Sequence, residues 1–140
     1  MILVVCIDDN GGMMFNHRRQ SRDKAVIDDV LNNVSKCVRI CEYSKVLFEN
    51  SGAEITISDN FIETAESGDC CFVEERGISE YINKASKLIV YKWNRRYPSD
   101  FSLDIALFDS RLKLCGRSDF AGNSHEKITK EVYEICAEAN

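Results

Sequence analysis

A cluster of basic side chains near the start of the chain suggests a site for an anion. It runs from His17 to Lys24 and includes Arg18, Arg19 and Arg22. The planar guanidinium group of arginine binds phosphate and carboxylate oxygens through several N–H donors. A helix predicted to begin within this cluster adds the partial positive charge of its first turn. The cluster therefore predicts an anion-binding site, with arginines that pair with surface acids as the structural alternative.

A second cluster, Trp93-Asn-Arg-Arg-Tyr97, interleaves cationic and aromatic side chains. Trp93 and Tyr97 would stack on a base or a sugar ring, and Arg95 and Arg96 would hold phosphate groups. The alternative is a purely structural role, in which Trp93 packs on the face of a sheet.

The two clusters would share one pocket if the strands before them are neighbours in a sheet. The first cluster follows a predicted strand at residues 2–7, and the second follows one at residues 87–93. Ligands of open α/β sheets bind in the crevice beyond the carboxyl ends of the strands. We therefore predict that a nucleotide-like ligand or an RNA segment binds there, mainly at the loop after the first strand.

The sequence predicts no metal site. Asp8 and Asp9 end the first predicted strand and would be the carboxylate ligands if Mg²⁺ were bound, but acids before Asn10-Gly11 are also common in turns. His125 directly follows Ser124, and adjacent side chains point apart. This pair is therefore expected to cap the last element rather than to form a nucleophile with its base.

Seven cysteines are distributed along the chain without the short C-x2-C spacing that zinc sites use. Cys70 and Cys71 are adjacent, and Cys37 and Cys41 are four positions apart. An odd number of cysteines also argues against a framework of disulfides. We expect reduced thiols that pack as small apolar side chains in a cytoplasmic protein.

Length and composition are those of one compact domain over residues 1–140, with 44% apolar and 29% charged side chains. A net charge of −5 excludes a uniform attraction to nucleic acids or membranes, so such binding needs a local patch. The first apolar run has no basic flank and no cleavage site of small residues, and no run approaches the roughly 18 residues of a membrane span. We expect a cytoplasmic protein without membrane contact.

Hydrophobic patterns predict strands that alternate with helices along most of the chain. Strands are predicted at residues 2–7, 38–41, 53–57, 70–73 and 87–93, and helical spacing at residues 25–34, 43–49, 60–66 and 78–84. Ser21 is the expected cap of the first helix. Residues 101–108 and 111–115 are expected to form a hairpin. The last segment, residues 125–139, follows helical spacing, with a strand as the alternative.

This alternation predicts a single three-layer α/β domain with a mostly parallel central sheet, because helices between strands connect parallel neighbours. Several stretches resemble dihydrofolate reductase. The first strand, the glycine-containing segment Gly11–Asn16 and the helix from Asp23 to Val34 stand in the family's order, and Cys71–Glu74 and Gly77–Tyr91 resemble the elements beside its cofactor site. The resemblance implies the reductase topology and makes Asp23 the nearest match to the family's catalytic acid.

The positions that would hold the reductase cofactor depart from the family's pattern. Glycines let backbone amides approach the phosphates of a dinucleotide. This chain has Cys41-Glu-Tyr-Ser44 at the first such place and Val73-Glu-Glu-Arg-Gly77 at the second. Two carboxylates beside a pyrophosphate would repel it at low dielectric. The cofactor is therefore unknown, and NADPH is disfavoured.

The chain is also similar to short bacterial proteins that carry an automatic ribonuclease Z label. The similar stretches are Trp93–Pro98 and Ser124–Thr129. Ribonuclease Z is a two-metal hydrolase that needs several histidines, whereas this chain has two. The resemblance therefore predicts that the chain shares the ribonuclease Z label, and it does not predict ribonuclease Z activity.

Three functional hypotheses follow, and the sequence leaves open whether the protein is an enzyme. The first is a module that binds a small anionic, nucleotide-like ligand or an RNA segment without conventional NADPH-dependent reductase activity. The second is a divergent enzyme, either a reductase of the dihydrofolate reductase type or an RNA-processing hydrolase. The third is a subunit of a homo-oligomer, in which an exposed strand and Trp93 pack against a second copy.

Overall fold

The structure is a computed structural model that describes residues 1–136. The strands are β1 Ile2–Ile7, β2 Gly12–Phe15, β3 Arg18–Arg19, β4 Cys37–Ile40, β5 Glu54–Ile57, β6 Cys70–Phe72, β7 Lys87–Lys92, β8 Phe101–Ser102, β9 Leu112–Phe120 and β10 Ile128–Ile135. The helical segments are α1 Lys24–Asp29 with a following π-helix Val30–Val34, a 3-10 helix Glu42–Ser44 leading into α2 Lys45–Phe48, and a 3-10 helix Ser79–Lys84.

The larger sheet has the strand order β5-β4-β6-β1-β7-β10-β9. Strands β5, β4, β6, β1 and β7 are parallel to one another, and β10 is antiparallel to both β7 and β9. This confirms the predicted α/β fold with a mostly parallel central sheet. Ile2 is paired with Lys87 and Ile7 with Lys92, so β1 and β7 are direct neighbours. The condition for a shared pocket of the two basic clusters is therefore met.

Strand β1 lies at the centre of this sheet, and its side chains alternate between two cores. Leu3 packs in the core that includes Ile82 of the 3-10 helix, whereas Val4 packs on the other face with Val26 and Val30. The exposed fraction of each of these five residues is at most 1%. A parallel strand between two packed layers has no solvent-facing side, which explains the continuous apolar run that predicted it.

Part of the predicted loop after β1 forms β2 and β3, which join β8 in a second sheet of three strands in the order β3-β2-β8. The predicted hairpin of residues 101–108 with 111–115 is wrong, because β8 pairs with β2 and β9 pairs with β10. Asp109 does form the expected turn, since its carbonyl accepts the amide of Leu112 at 3.0 Å. The turn was local and predictable, but the partners of the two strands are distant in sequence.

The last described element is the strand β10, so the helix predicted for this segment is wrong and the alternative is correct. Charged residues inside the strand made its spacing resemble a helix. Lys130 pairs with Asp29 at 2.8 Å, and Glu131 pairs with Lys92 at 2.7 Å. These ion pairs let charged side chains occupy positions beside the cores. Residues 137–139 of the predicted helix lie outside the described residues.

Two further helix predictions need correction. The cap of α1 is Asp23 rather than Ser21, because the Asp23 carboxylate accepts the backbone amide of Ala25 at 2.9 Å. Residues 60–66, predicted as one or two helical turns, form no continuous helix. The amide of Thr64 donates to the carbonyl of Asn60 and that of Ala65 donates to the carbonyl of Ile62, each at 3.1 Å, so the segment contains isolated turns.

The cysteines are free thiols in the structure; Cys41, Cys70 and Cys71 are buried, as expected of small apolar side chains, whereas Cys37, Cys115 and Cys136 are exposed. Cys70 and Cys71 are fully buried in the two cores. Burial raises the pKa of Cys70 to about 12 and that of Cys71 to about 11, which makes both thiols poor nucleophiles. Among the described residues, no helix is long and apolar enough to cross a membrane.

Candidate functional site

A cavity of about 480 Å³ opens where β1, β6 and β7 end. The strand ends contribute Cys6, Phe72 and Trp93, and the helical segments α1 and α2 enclose the opposite side. Further apolar lining comes from Met13, Val26, Ile27, Val46, Leu47 and Val73. The charged lining consists of Arg19, Arg22, Asp23, Lys24, Asp28, Glu49 and Glu74. The cavity lies beyond the carboxyl ends of parallel strands, where α/β proteins bind ligands.

The structure brings only part of the two predicted clusters to this cavity. Arg19 and Arg22 from the first cluster and Trp93 from the second line it. Arg18, Arg95 and Arg96 are exposed and lie outside its lining. The single pocket predicted for all the arginines is therefore divided, and a role for the exposed ones in ligand binding stays a prediction.

Arg19 is already engaged by groups of the protein. Its guanidinium donates to both carboxylate oxygens of Glu74, at 2.9 and 3.0 Å, and to the carbonyl of Tyr43 at 3.0 Å. The Tyr43 ring lies beneath it, with the guanidinium carbon 4.4 Å from the ring centroid. A bidentate ion pair of this kind neutralises both partners. By contrast, Arg22 and Lys24 make no ion pair within residues 1–136.

Asp23, the nearest match to a catalytic acid, is a buried side chain in the cavity lining. Its carboxylate accepts the backbone amides of Asn123, Ser124 and Ala25 at 2.8, 2.8 and 2.9 Å, and it accepts the amide and Nδ1 of His125 at 3.1 and 2.9 Å. Burial alone would raise the pKa of Asp23, but these hydrogen bonds outweigh it and lower the pKa to about 2. Asp23 is therefore a permanent carboxylate near neutral pH, and its role as a catalytic acid stays a prediction.

His125 lies between Asp23 and the Ser21 hydroxyl. Its Nε2 lies 2.9 Å from the Ser21 hydroxyl and 2.9 Å from the Tyr97 hydroxyl. Trp93 stacks on the imidazole with ring centroids 4.6 Å apart and an interplanar angle of 20°. We call Ser21, Asp23, Trp93, Tyr97 and His125 the histidine cluster. Ser21 lines the cavity, whereas the His125 side chain is 1% exposed.

Sequence reasoning missed Ser21 and His125 as functional candidates. His125 was compared with its neighbour Ser124, but its hydroxyl partner Ser21 lies 104 residues away. The relevant signal was weak: a lone histidine between turn residues and the apolar start of β10. Trp93 and Tyr97 were singled out as stacking residues, whereas both contact His125. Trp93 is 4% exposed, so it contributes little surface for packing against a second copy.

Asp8 and Asp9 lie in different environments, the first buried and the second exposed. The Asp8 carboxylate accepts the amides of Gly12, Asn10 and Tyr97 at 2.8, 2.9 and 3.0 Å. Burial acts to raise the pKa of Asp8, but these hydrogen bonds lower it overall. Within residues 1–136 no three His, Cys, Asp or Glu side chains are grouped as metal ligands. Asp8 instead holds the turn that follows β1, through the amides of Asn10 and Gly12.

Comparison with known proteins identifies the fold. No family model matches the chain, and no curated protein matches it. Among solved structures, it is similar to a dihydrofolate reductase from Enterococcus faecalis, complexed with NADP(H) and RAB-propyl, with a TM-score of 0.63 over 96% of this chain and 95% of that chain. The chain has a dihydrofolate reductase-like fold. At 9% sequence identity the likeness shows the fold alone, and the similarity to proteins labelled ribonuclease Z finds no support.

The residues present do not fit the dinucleotide cofactor of the reductase fold. At the start of the 3-10 helix, where the sequence resemblance places the cofactor's phosphates, the Asp104 carboxylate accepts the amides of Ile78 and Ser79 at 2.8 and 3.1 Å. A Cβ atom on Gly77 would lie 2.2 Å from the Asp104 Oδ2 atom. Glu74 and Glu75 are paired with Arg19 and Arg76, each at 2.9 Å. It is the Asp104 carboxylate that occupies the donors and the space that a pyrophosphate would need.

Proposed function

We propose that the cavity binds a small anionic ligand that carries a planar ring, nucleotide-like in chemistry, and that the protein acts as a ligand-binding module without NADPH-dependent reductase activity. The observation that carries this proposal is the position of Arg22 and Lys24. Both line the cavity and make no ion pair within the described chain, beside an apolar wall that includes Phe72 and Trp93. Pockets of this kind bind small molecules through apolar contact and a few polar groups.

The charges of the cavity constrain the ligand further. Arg19 and Glu74 neutralise each other, and Asp23 is satisfied by buried donors. The remaining lining charges are the cations Arg22 and Lys24 and the acids Asp28 and Glu49. A matching ligand has an anionic group for the cations and amino or ring N–H groups for the carboxylates. Nucleotides and pteridines combine these features.

A small molecule is favoured over RNA. The exposed Arg95 and Arg96 lie outside the cavity lining, and the net charge of −5 opposes general attraction to a polyanion. A cavity of about 480 Å³ is within the usual range for pockets that enclose a small ligand. Recognition by a strand of RNA would instead need a groove of cations along the surface.

Thermal unfolding with a panel of probes tests this proposal. We expect AMP, GMP or folic acid to raise the melting temperature, because a ligand at 100 times its Kd adds about 2.7 kcal/mol of stability. The substitution Arg22→Ala should weaken binding of the responding probe by about 10-fold, the usual loss for one charge-assisted hydrogen bond. NADPH should give no larger shift than AMP, which supplies the same ring and a phosphate.

Arg96→Ala is the matched control, since it removes an exposed arginine outside the cavity lining. We expect it to leave the Kd of the small probe unchanged. Stabilisation by a short single-stranded RNA that is lost in Arg96→Ala would contradict the proposal and support the arginine-rich surface instead. NADPH-dependent reduction of dihydrofolate by the wild-type protein would contradict the absence of reductase activity.

A further inference from the structure

We infer that Ser21, His125 and Asp23 form a nucleophilic triad that hydrolyses small carboxylic esters at the wall of the cavity. The order of atoms is that of a serine nucleophile with its base and an orienting acid. The Ser21 Oγ atom lies 2.9 Å from His125 Nε2, and His125 Nδ1 lies 2.9 Å from the Asp23 Oδ2 atom. These are hydrogen-bond distances between the groups that such a mechanism requires. The inference concerns catalysis and does not rest on the anionic ligand proposed above.

Burial increases along the triad in the direction that catalysis needs. Ser21 is half-buried and lines the cavity. The side chains of His125 and Asp23 are 1% and 0% exposed. Water therefore does not compete for the hydrogen bond between them, and the imidazole is held in one orientation. A triad is recognised by this geometry and not by the order of its residues in the chain.

The carboxylate determines which imidazole nitrogen accepts a proton. Asp23 is ionised near neutral pH and can only accept hydrogen bonds, so the proton of neutral His125 is on Nδ1. This leaves the lone pair of Nε2 directed at the hydroxyls of Ser21 and Tyr97, both at 2.9 Å. The Tyr97 hydroxyl is also 3.4 Å from the Ser21 hydroxyl. Tyr97 is thus a positioning residue that holds the serine and the imidazole together.

The reaction uses water as its only co-reactant. The Ser21 O–H bond breaks, its proton moves to His125 Nε2, and the oxygen forms a bond to the carbonyl carbon of the ester. The carbonyl electron pair moves to the oxygen, and the positive charges that the cavity lining offers for it are those of Arg22 and Lys24. When this intermediate collapses, the ester C–O bond breaks and the alkoxide takes the proton from Nε2. Water then attacks the acyl-serine by the same route, which releases the carboxylic acid and restores Ser21.

Labelling with a fluorophosphonate tests the nucleophile directly. We expect intact-mass spectrometry to show a single adduct, and peptide mapping to place it on Ser21. Ser21→Ala should abolish the adduct, and His125→Gln should slow labelling by at least about 100-fold, because loss of a general base typically costs that much. With p-nitrophenyl butyrate, a burst on the order of one p-nitrophenolate per chain should precede slower turnover.

Ser118→Ala is the matched control, because Ser118 is an exposed serine on β9 outside the cavity lining. It should label at the wild-type rate. Ser21→Cys provides a test that does not depend on the folding of a His125 variant: the introduced thiol should react with iodoacetamide at least 10-fold faster than the exposed Cys37, Cys115 and Cys136. The triad is disproved by the absence of a wild-type adduct, by an adduct that persists in Ser21→Ala, or by an introduced thiol no faster than the exposed ones. The fluorophosphonate probe is neutral, so the absence of labelling would disprove the triad without bearing on anion binding. Anion binding is tested separately by thermal unfolding.

Discussion

Asp23→Asn is expected to lower the free energy of unfolding by about 3 to 5 kcal/mol, because each buried donor that is left without a partner costs about 1 to 3 kcal/mol. The carboxylate accepts four backbone amides and the His125 ring nitrogen. An asparagine has one acceptor oxygen, so its NH₂ group would face amide donors and leave several of them without a partner. Urea denaturation near pH 7, followed by circular dichroism, measures the loss.

Asp28→Asn is the control for this substitution, because it removes an exposed carboxylate from the same helix. An exposed change of this kind usually alters stability by less than about 0.5 kcal/mol. Equal losses for the two variants would show that the network around Asp23 contributes no more to stability than a surface acid.

The part of the stability that comes from ionisation of Asp23 should be lost in acid. The pKa of its carboxyl is about 2 in the folded protein, below the ordinary value of 3.8. Since the folded pKa is the lower one, the carboxylate stabilises the fold above about pH 4, and this stability is lost as the pH falls toward 2. The effect amounts to about 2 kcal/mol. The difference in unfolding free energy between the wild type and Asp23→Asn should therefore narrow by about 2 kcal/mol between pH 4 and pH 2, and a constant difference would contradict the lowered pKa.

The parts of the fold that could be predicted are those in which local sequence and burial agree. The run at residues 2–7 is apolar at every position because both faces of β1 are covered by the cores. In β10 the signals conflict. Lys130 and Glu131 are held inside the sheet by Asp29 and Lys92, partners that no local rule can identify. The spacing of its apolar residues therefore also fitted a helix.

The candidate site was predictable in position but not in composition. Parallel neighbours β1 and β7 place a crevice after residues 7 and 92, as the order of strands implied. Whether an arginine there is free depends on residues far along the chain. Arg19 is neutralised by Glu74, 55 positions later. Similarly, Ser21 was expected to cap α1, but Asp23 takes that role and leaves the serine hydroxyl for His125.

Gly122→Ala is expected to destabilise the protein by about 3 kcal/mol, the upper range for forcing extra volume into a packed region. A Cβ atom at this position would lie 2.5 Å from the Asp23 Oδ2 atom, 2.7 Å from the carbonyl oxygen of His125 and 3.0 Å from Ile128 Cδ1. The first two neighbours are held by hydrogen bonds and by the backbone, so neither can move without breaking the histidine cluster. Because Gly122 is not in the left-handed region, the effect is purely steric.

Gly116→Ala separates this steric effect from the general cost of adding a methyl group to a glycine. Gly116 is in β9, also outside the left-handed region, and its added Cβ would have Val132 Cβ as the nearest atom at an ordinary 3.7 Å. We expect the control to stay within about 0.5 kcal/mol of the wild type in urea denaturation. If displacement of Asp23 is the cause, Gly122→Ala combined with Asp23→Asn should cost less than the sum of the two single changes, because both disrupt one network. Strict additivity would mean that Gly122 acts on stability by a route other than the Asp23 carboxylate.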